Sequence, residues 1–361
     1  MVDCVPIANK CTVTLTITME ELTMYQKQRV GGRYRSKTLL AVLITLLCCT
    51  WASSAFAVIE LKLGHFGSDT HPSHIAATQF ANNVEKRTNG EVKIAIYPNN
   101  ALGSPPEVLE QVIMGVVDMS LSGQDQLAKH VSLFDTVSIP FSLSSYEHAD
   151  RVLDGPFIDW AAPEVEKIGL VYLSSWEWGF RQLTNSKLPI ISPADLKGLK
   201  IRTPPAMTYQ AAMEALGANV QTIAFSELVM AMRQGVVDGQ ENPIGVIYNL
   251  KLYESQKYIS IINYLYSSMC HVVSKGVWDS LTPEQQTIIR EESNSARLLM
   301  RKLARADEQK QIEDMRSKGI QIDTPDLAPF KAKMGPAYEK IKKNVGEANF
   351  DKWMKMTESM Q

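Results

Sequence analysis

Residues Gly235–Pro243 read Gly-Val-Val-Asp-Gly-Gln-Glu-Asn-Pro. The segment ending at Asp238, Glu227–Asp238 (ELVMAMRQGVVD), has a counterpart at Glu107–Asp118 (EVLEQVIMGVVD), 120 positions upstream by subtraction (227 minus 107). Solenoid repeats recur every 20–50 residues or so. A spacing this long therefore describes two lobes built alike. Each copy reads as a helix stopped by glycine and followed by a short Val-Val strand. The second copy then runs on into a loop, because Gly239 and Pro243 fix special backbone angles.

Working outward, both lobes show one plan. Ile59–Leu63 alternates apolar and charged residues as a half-buried strand. A helix follows from about Ser73 to Arg87, with Ala76, Phe80 and Val84 on one face, and then a strand carrying Val92, Ile94 and Ile96. The plan returns at Leu199–Thr203 (strand), a helix to Leu216, and Val220–Phe225 (strand), with Ser226 as N-cap of the second repeat helix. Between them, Leu170–Leu173 reads as a buried strand leading into Trp176-Glu177-Trp178-Gly179-Phe180-Arg181. Tyr258–Tyr264 and His271–Ser274 are further strands. Thr282-Pro283-Glu284-Gln285 is a capping box with proline at the first helical position, opening a helix to about Lys318 that braces both lobes. Residues Pro325–Gln361 read as helix packed on the surface. The expected fold class is α/β with two similar lobes, a hinge and a lobe-spanning helix. The first lobe takes about 58–179 plus 268–307, and the second about 180–267 plus the C-terminal helices.

The first 57 residues stand apart. Lys27, Arg29, Arg33, Arg35 and Lys37 precede an apolar run from Leu39 to Leu47, and Ala55-Phe56-Ala57 closes it as a small-x-small site. That order predicts a signal peptide starting at Met24 or Met1, export to the periplasm, and maturation after Ala57. Of 37 basic and 39 acidic residues, this segment holds six and three, which leaves 31 and 36 and a net charge of −5. A mildly acidic chain argues against nucleic acid as a partner. Cys4, Cys11, Cys48 and Cys49 fall in the leader, so Cys270 has no partner for a disulfide or a cysteine metal site and reads as buried packing.

Motifs for enzymatic chemistry are missing. There is no nucleophile elbow, no HExxH, no phosphate loop and no GxGxxG after a strand. His71 and His74 form a loop-to-helix pair that reads as structural and solvated rather than metal-binding. Arg202 closes a strand, where open α/β sheets place their ligand crevice, and its planar fork suits a carboxylate. A surface pair with Asp195 fits its position equally well. Arg181 follows the tryptophans and is open to the same two readings. Trp176, Trp178, Phe180 and Phe225 serve either as core or as a pocket floor. Asn242, held extended by Pro243, is either a turn residue or a ligand contact.

Taken together, Asp195–Pro204 (DLKGLKIRTP), Ala224–Pro243 (AFSELVMAMRQGVVDGQENP) and Leu61–Gly103 make the sequence similar to the substrate-binding subunits of TRAP transporters, the tripartite ATP-independent periplasmic carriers. The resemblance covers essentially the whole mature chain. It implies a two-lobed periplasmic binding protein that closes on an organic acid and delivers it to the small and large membrane permease subunits, with no cofactor, metal or catalytic residue, and as a monomer. It implies Arg202 as the carboxylate clamp, Asn242 as the residue holding clamp or ligand, Arg181 as a second ligand arginine and Phe225 as a nearby aromatic. His65, Gln124, Trp176 and Trp178 are lining candidates. Two arginines beside tryptophans lean toward a sugar acid or other hydroxylated monocarboxylate, with a C4-dicarboxylate or 2-oxo acid as alternatives. Competing functions are an extracytoplasmic ligand sensor, and a secreted enzyme using Asp238 or Glu241 as acid/base.

Overall fold

The computed structural model describes residues 58–361. The expected leader, its end near Ala57, the start at Met24 and the four cysteines within it lie outside these residues. From the described N-terminus, β1 (Ile59–Gly64), helix α1 (Pro72–Arg87), β2 (Val92–Tyr97), helix α2 (Pro105–Ile113) and β3 (Met119–Gly123) form a parallel unit in the order β2-β1-β3. Helices α3 (Gln124–Leu127), α4 (Tyr146–Leu153) and α5 (Pro156–Glu166) follow, and then β4 (Leu170–Asn185). The second unit repeats the first: β5 (Lys200–Thr203), α6 (Met207–Ala215), β6 (Asn219–Thr222), α7 (Leu228–Arg233) and β7 (Gly239–Pro243), in the order β6-β5-β7. After α8 (Ile244–Asn249) come β8 (Tyr258–Ser260), β9 (Tyr266–Ser274), α9 (Lys275–Ser280), α10 (Pro283–Ser317), β10 (Gln321–Asp323) and helices α11 (Ala328–Ala332), α12 (Gly335–Val345) and α13 (Glu347–Ser359).

The two copies of the repeat fold alike, though not as read from the sequence. Each helix ends in a glycine with positive φ, Gly115 at 72° and Gly235 at 68°. The next N–H reaches back into the helix, from Val116 to the Gln111 carbonyl (2.8 Å) and from Val236 to that of Ala231 (2.9 Å). This is a Schellman stop. It uses the backbone of the first valine, so Val-Val forms the turn, with Val117 and Val237 buried and Val116 and Val236 exposed. The strand begins only after the aspartate. Asp118 accepts from the Lys62 N–H (2.7 Å), and Asp238 accepts from the Lys200 N–H (2.9 Å). Each aspartate thus pins the start of its strand to the neighbouring one.

Gly-Gln-Glu-Asn-Pro is therefore strand β7 and not a loop, and all five residues are buried. Glycine, asparagine and proline disfavour strands. Here β7 is held between β5, parallel, and β4, antiparallel. Gly239 runs so close to the Thr184 carbonyl and Asn185 that an added Cβ would collide with both. Pro243 sits at the strand end, where proline is tolerated.

One strand joins the lobes. The first half of β4 pairs antiparallel with β9 beside β3, and its second half pairs with β7 and β8. At the crossing the register shifts between Glu177 and Gly179, which leaves Trp178 without a partner and Gly179 at φ 116°. A bulge of this kind bends a strand and re-aims the extra side chain. Helix α10, with Thr282 as its N-cap, also spans both lobes. Ile288, Ile289 and Met300 pack with Leu61, Phe80 and Trp176, whereas Ile312 and Met315 pack with Leu228 and Ile247. The last helices are no surface veneer. Phe330 and Met334 enter the core of the second lobe, while Ile341, Val345 and Trp353 join Phe134 and Phe157. Cys270 is buried, and burial pushes its thiol pKa up.

Candidate functional site

Two buried arginines carry the least usual surroundings: Arg202 near the end of parallel strand β5, on the crevice side of an open α/β sheet, and Arg181 in antiparallel β4. Arg181 leaves β4 opposite Pro243 and is 4% exposed. Its Nε donates to Glu241 Oε2. Its Nη2 donates to the Glu241 carbonyl (2.7 Å), to Glu241 Oε1 (3.0 Å) and to Asn242 Oδ1 (3.0 Å). Tyr264 OH donates to the same carboxylate at 2.6 Å, and the Arg181 guanidinium lies 4.9 Å from the Tyr209 ring centroid. Burial alone would lower the Arg181 pKa, but the Glu241 carboxylate beside it more than reverses that and holds it raised. The structure thus gives Arg181 a different emphasis from a freely presented ligand arginine. Most of its fork is anchored inside the protein, and Nη1 alone makes no hydrogen bond among the described residues.

Arg202 is arranged otherwise. It is fully buried, and its Nε donates to the Ile223 carbonyl at 2.9 Å. Its Nη2 is buried with no partner, and no carboxylate lies within ion-pair distance among the described residues. Asp195, the alternative partner read from sequence, instead accepts from the Ile191 and Ser192 N–H groups and caps a turn. Burial lowers the Arg202 pKa to about 10, against the attraction of Glu241, so the side chain stays cationic at neutral pH. A buried guanidinium nitrogen without an acceptor leaves free energy to be gained by an incoming anion. Asn242 does not face Arg202 directly. Its Oδ1 accepts from Arg181 and its Nδ2 donates to Gln240, so it helps hold Arg181.

Aromatic residues close the other side. Phe66, from the β1–α1 loop, stacks on Trp178 with ring centroids 5.0 Å apart and meets Phe225 of the second lobe edge-on at 5.9 Å. Trp178 reaches this group because of the bulge. Trp176, two residues earlier, remains in regular register and in the core of the first lobe, where its indole donates to Ser174 (3.0 Å) and packs edge-on against His271. It supports the wall and does not join the Phe66 group. His65 is buried too. Its Nδ1 accepts from the Gly67 N–H (3.1 Å) and its Nε2 meets His74 Nδ1 (3.3 Å), so the ring fixes the loop that carries Phe66. Burial, with His74 and His71 adding to it, lowers its pKa to about 3. His71 is not solvated as expected: it is buried and caps α1 by accepting from the Ser73 N–H. Gln124 is buried and links the lobes, lying 3.0 Å from Ser138 Oγ and 3.5 Å from Tyr209 OH.

Sequence reasoning missed the support for this site. Glu241 was visible inside Gly-Gln-Glu-Asn-Pro but read as a loop residue, and Tyr209 and Tyr264 carry no local signal for meeting a strand elsewhere. With both carboxylate oxygens engaged, Glu241 is a structural counter-charge. Asp238, pinning Lys200, is a strand clasp.

The family model described as bacterial extracellular solute-binding protein, family 7 (DctP) matches residues 63–344. The chain is 35% identical to the 2,3-diketo-L-gulonate-binding periplasmic protein YiaO of Escherichia coli (strain K12), over 76% of this chain and 84% of that protein. It resembles the crystal structure of the sugar acid binding protein DctPAm from Advenella mimigardefordensis in complex with galactonate, with TM-score 0.81, 26% identity, and 85% and 100% of the two chains covered. A TRAP periplasmic solute binding protein from Polaromonas sp. JS666 bound to D-erythronate superposes with TM-score 0.78 at 32% identity, covering 82% and 98%. With the two-lobed fold, the buried arginine pair and a family match over most of its length, the chain belongs to the bacterial extracellular solute-binding proteins of family 7, the DctP family of TRAP solute-binding proteins.

Proposed function

We propose that this chain captures a hydroxylated monocarboxylate of the sugar-acid class between its lobes in the periplasm. It then passes the ligand, unchanged, to the small and large membrane subunits of a TRAP transporter. The observation that carries this reading is Arg202 Nη2, buried at the strand end and without a partner among the described residues. Arg181 is matched by Glu241, so Arg202 supplies the charge for one carboxylate. Phe66, Trp178 and Phe225 offer apolar faces suited to the carbon face of a sugar. The named ligands of similar proteins, 2,3-diketo-L-gulonate, galactonate and D-erythronate, support the same class. Capture without turnover fits a site in which Glu241 is held by Arg181 and Tyr264.

The lobes would divide at about residues 179 and 267, with the Trp178 bulge at the hinge, and the protein would act as a monomer exported by the leader ending near Ala57. Thermal-shift and calorimetric titration with galactonate, erythronate, succinate and pyruvate test the ligand class. A sugar acid at about 100 times its Kd stabilises by roughly 2.7 kcal/mol, and NMR of the recovered ligand should show it unaltered. Binding confined to succinate or pyruvate, or conversion of the ligand, would overturn the reading.

A further inference from the structure

The residue after Gln124 is not used by the clamp as described so far. Asp125 is the second residue of α3 and stands at the crevice end of β3. Its side chain makes no hydrogen bond to any other described residue and no ion pair within 4.0 Å, although the residue is only partly exposed. It lies against Gly123: a Cβ added there would meet Asp125 Oδ1 and come within 2.8 Å of Trp178 Cζ3. That places the Asp125 carboxylate beside the indole that stacks on Phe66. Burial raises the Asp125 pKa while Arg181 works against that rise, and the carboxylate also lies within electrostatic range of Arg202. An acidic side chain within electrostatic range of two arginines that pairs with neither is an unusual thing to place beside an anion clamp. Asp125 would weaken binding of any ligand that offers it nothing in return.

We infer that Asp125 is the specificity-determining residue of the crevice: it accepts hydrogen bonds from ligand hydroxyl groups and repels a second carboxylate. This rests on the carboxylate-capture reading above and names which carboxylates that site selects. A carboxylate is acceptor-only when ionised, so the vicinal hydroxyls of a sugar acid complement it once the acid's own carboxylate is on Arg202. A C4-dicarboxylate placed the same way brings a second negative charge toward Asp125. Gly123 is then glycine because Asp125 and Trp178 both need the space over its α-carbon.

Calorimetric titration of D-galactonate and succinate into the wild-type chain and its Asp125→Asn, Asp125→Ala and Arg202→Ala variants tests this, with circular dichroism confirming the fold of each. Hydrogen bonds to a charged group are worth about 1.5–3 kcal/mol, or roughly 10- to 100-fold in affinity. The expected result is a loss of that size for galactonate in both Asp125 variants and a gain for succinate. The ligand preference then narrows or inverts, while Arg202→Ala abolishes binding of both acids. A galactonate-to-succinate affinity ratio unchanged in the Asp125 variants, with Arg202 still required, overturns this inference and leaves the clamp standing. Binding of both acids undiminished by Arg202→Ala overturns the clamp, and so does a wild-type chain that binds neither acid. In both of those outcomes the role of Asp125 falls with it.

Discussion

Strands β3 and β7 are the same element built twice. Each follows a glycine-stopped helix, a turn with one buried and one exposed valine, and an aspartate that accepts from a backbone N–H of the neighbouring strand. Each has five buried residues and each runs into a short helix. What differs is the strand itself: Met-Ser-Leu-Ser-Gly in the first lobe and Gly-Gln-Glu-Asn-Pro in the second. Leu121 and Glu241 hold matching places. The leucine packs with Leu63, Trp176 and Met269, while the glutamate neutralises Arg181. The frame therefore needs only the stop, the turn and the aspartate. A strand enclosed on both sides can carry ionic groups when each of them finds a partner. At this matched position the first repeat places an apolar side chain and the second a charged one.

The sharpest way to break this comparison is at Glu241. Glu241→Ala leaves Arg181 buried with only amide and carbonyl acceptors, and removing one partner of a buried ion pair costs about 3–5 kcal/mol. Denaturant unfolding should show that loss, and a cost below about 1 kcal/mol would mean the pair is not the structural centre of β7. Arg202→Ala should leave unfolding nearly unchanged while lowering ligand affinity by about 2–5 kcal/mol, roughly 30-fold or more. Near wild-type affinity by calorimetry would remove the clamp from the second lobe.

Acid should act unequally on the lobes. Burial depresses His65 and His271 to about 3 and His71 to about 4, and all three belong to the first lobe. A base whose folded pKa lies below its unfolded value binds more protons when unfolded. These residues therefore favour folding above about pH 6.5, and that contribution is lost as pH falls toward about 3. Burial raises Asp135, in the same lobe, to about 7. Its unfavourable ionisation works in the opposite direction, growing as pH rises from the ordinary carboxylate range to about 7, so it partly offsets the histidines. Hydrogen exchange between pH 7 and 4 should show protection in β1, β3 and α1 falling faster than in β5 and β7. Equal loss in both sets of elements would contradict this asymmetry.

The smallest effect concerns what the lobes share. Asp118→Ala and Asp238→Ala each remove one carboxylate acceptor from a backbone N–H of the neighbouring strand and should each cost about 1–2 kcal/mol. Equal falls in unfolding free energy would show that the two clasps are the same device. A large difference would mean the repeat is similar in sequence only.

Much of this was legible in the chain. The 120-residue echo, the capping box at Thr282 and the β-α alternation each depend on neighbours within a few residues, so they could be read locally. Arg202 could be picked out because a cation at a strand end is a local pattern, whereas Arg181, inside β4, was marked only by the tryptophans before it. The nature of Gly-Gln-Glu-Asn-Pro could not, since its local preferences favour a turn, and only enclosure by β4 and β5 makes it a strand. The difference between Trp176 and Trp178 rests on a register shift against β9, some 90 residues away (268 minus 177 is 91).

By itself, then, the sequence determined the two-lobed α/β plan, the glycine stops and the arginines at the crevice, because helix periodicity, capping and strand alternation act over a handful of residues. The tertiary structure alone decided that Glu241 serves Arg181 and that, among the described residues, Arg202 is left with a free nitrogen and Asp125 stands unpaired beside Trp178. Those outcomes depend on which charges meet after distant strands align, and in a buried site the partner a charge finds decides what it can do.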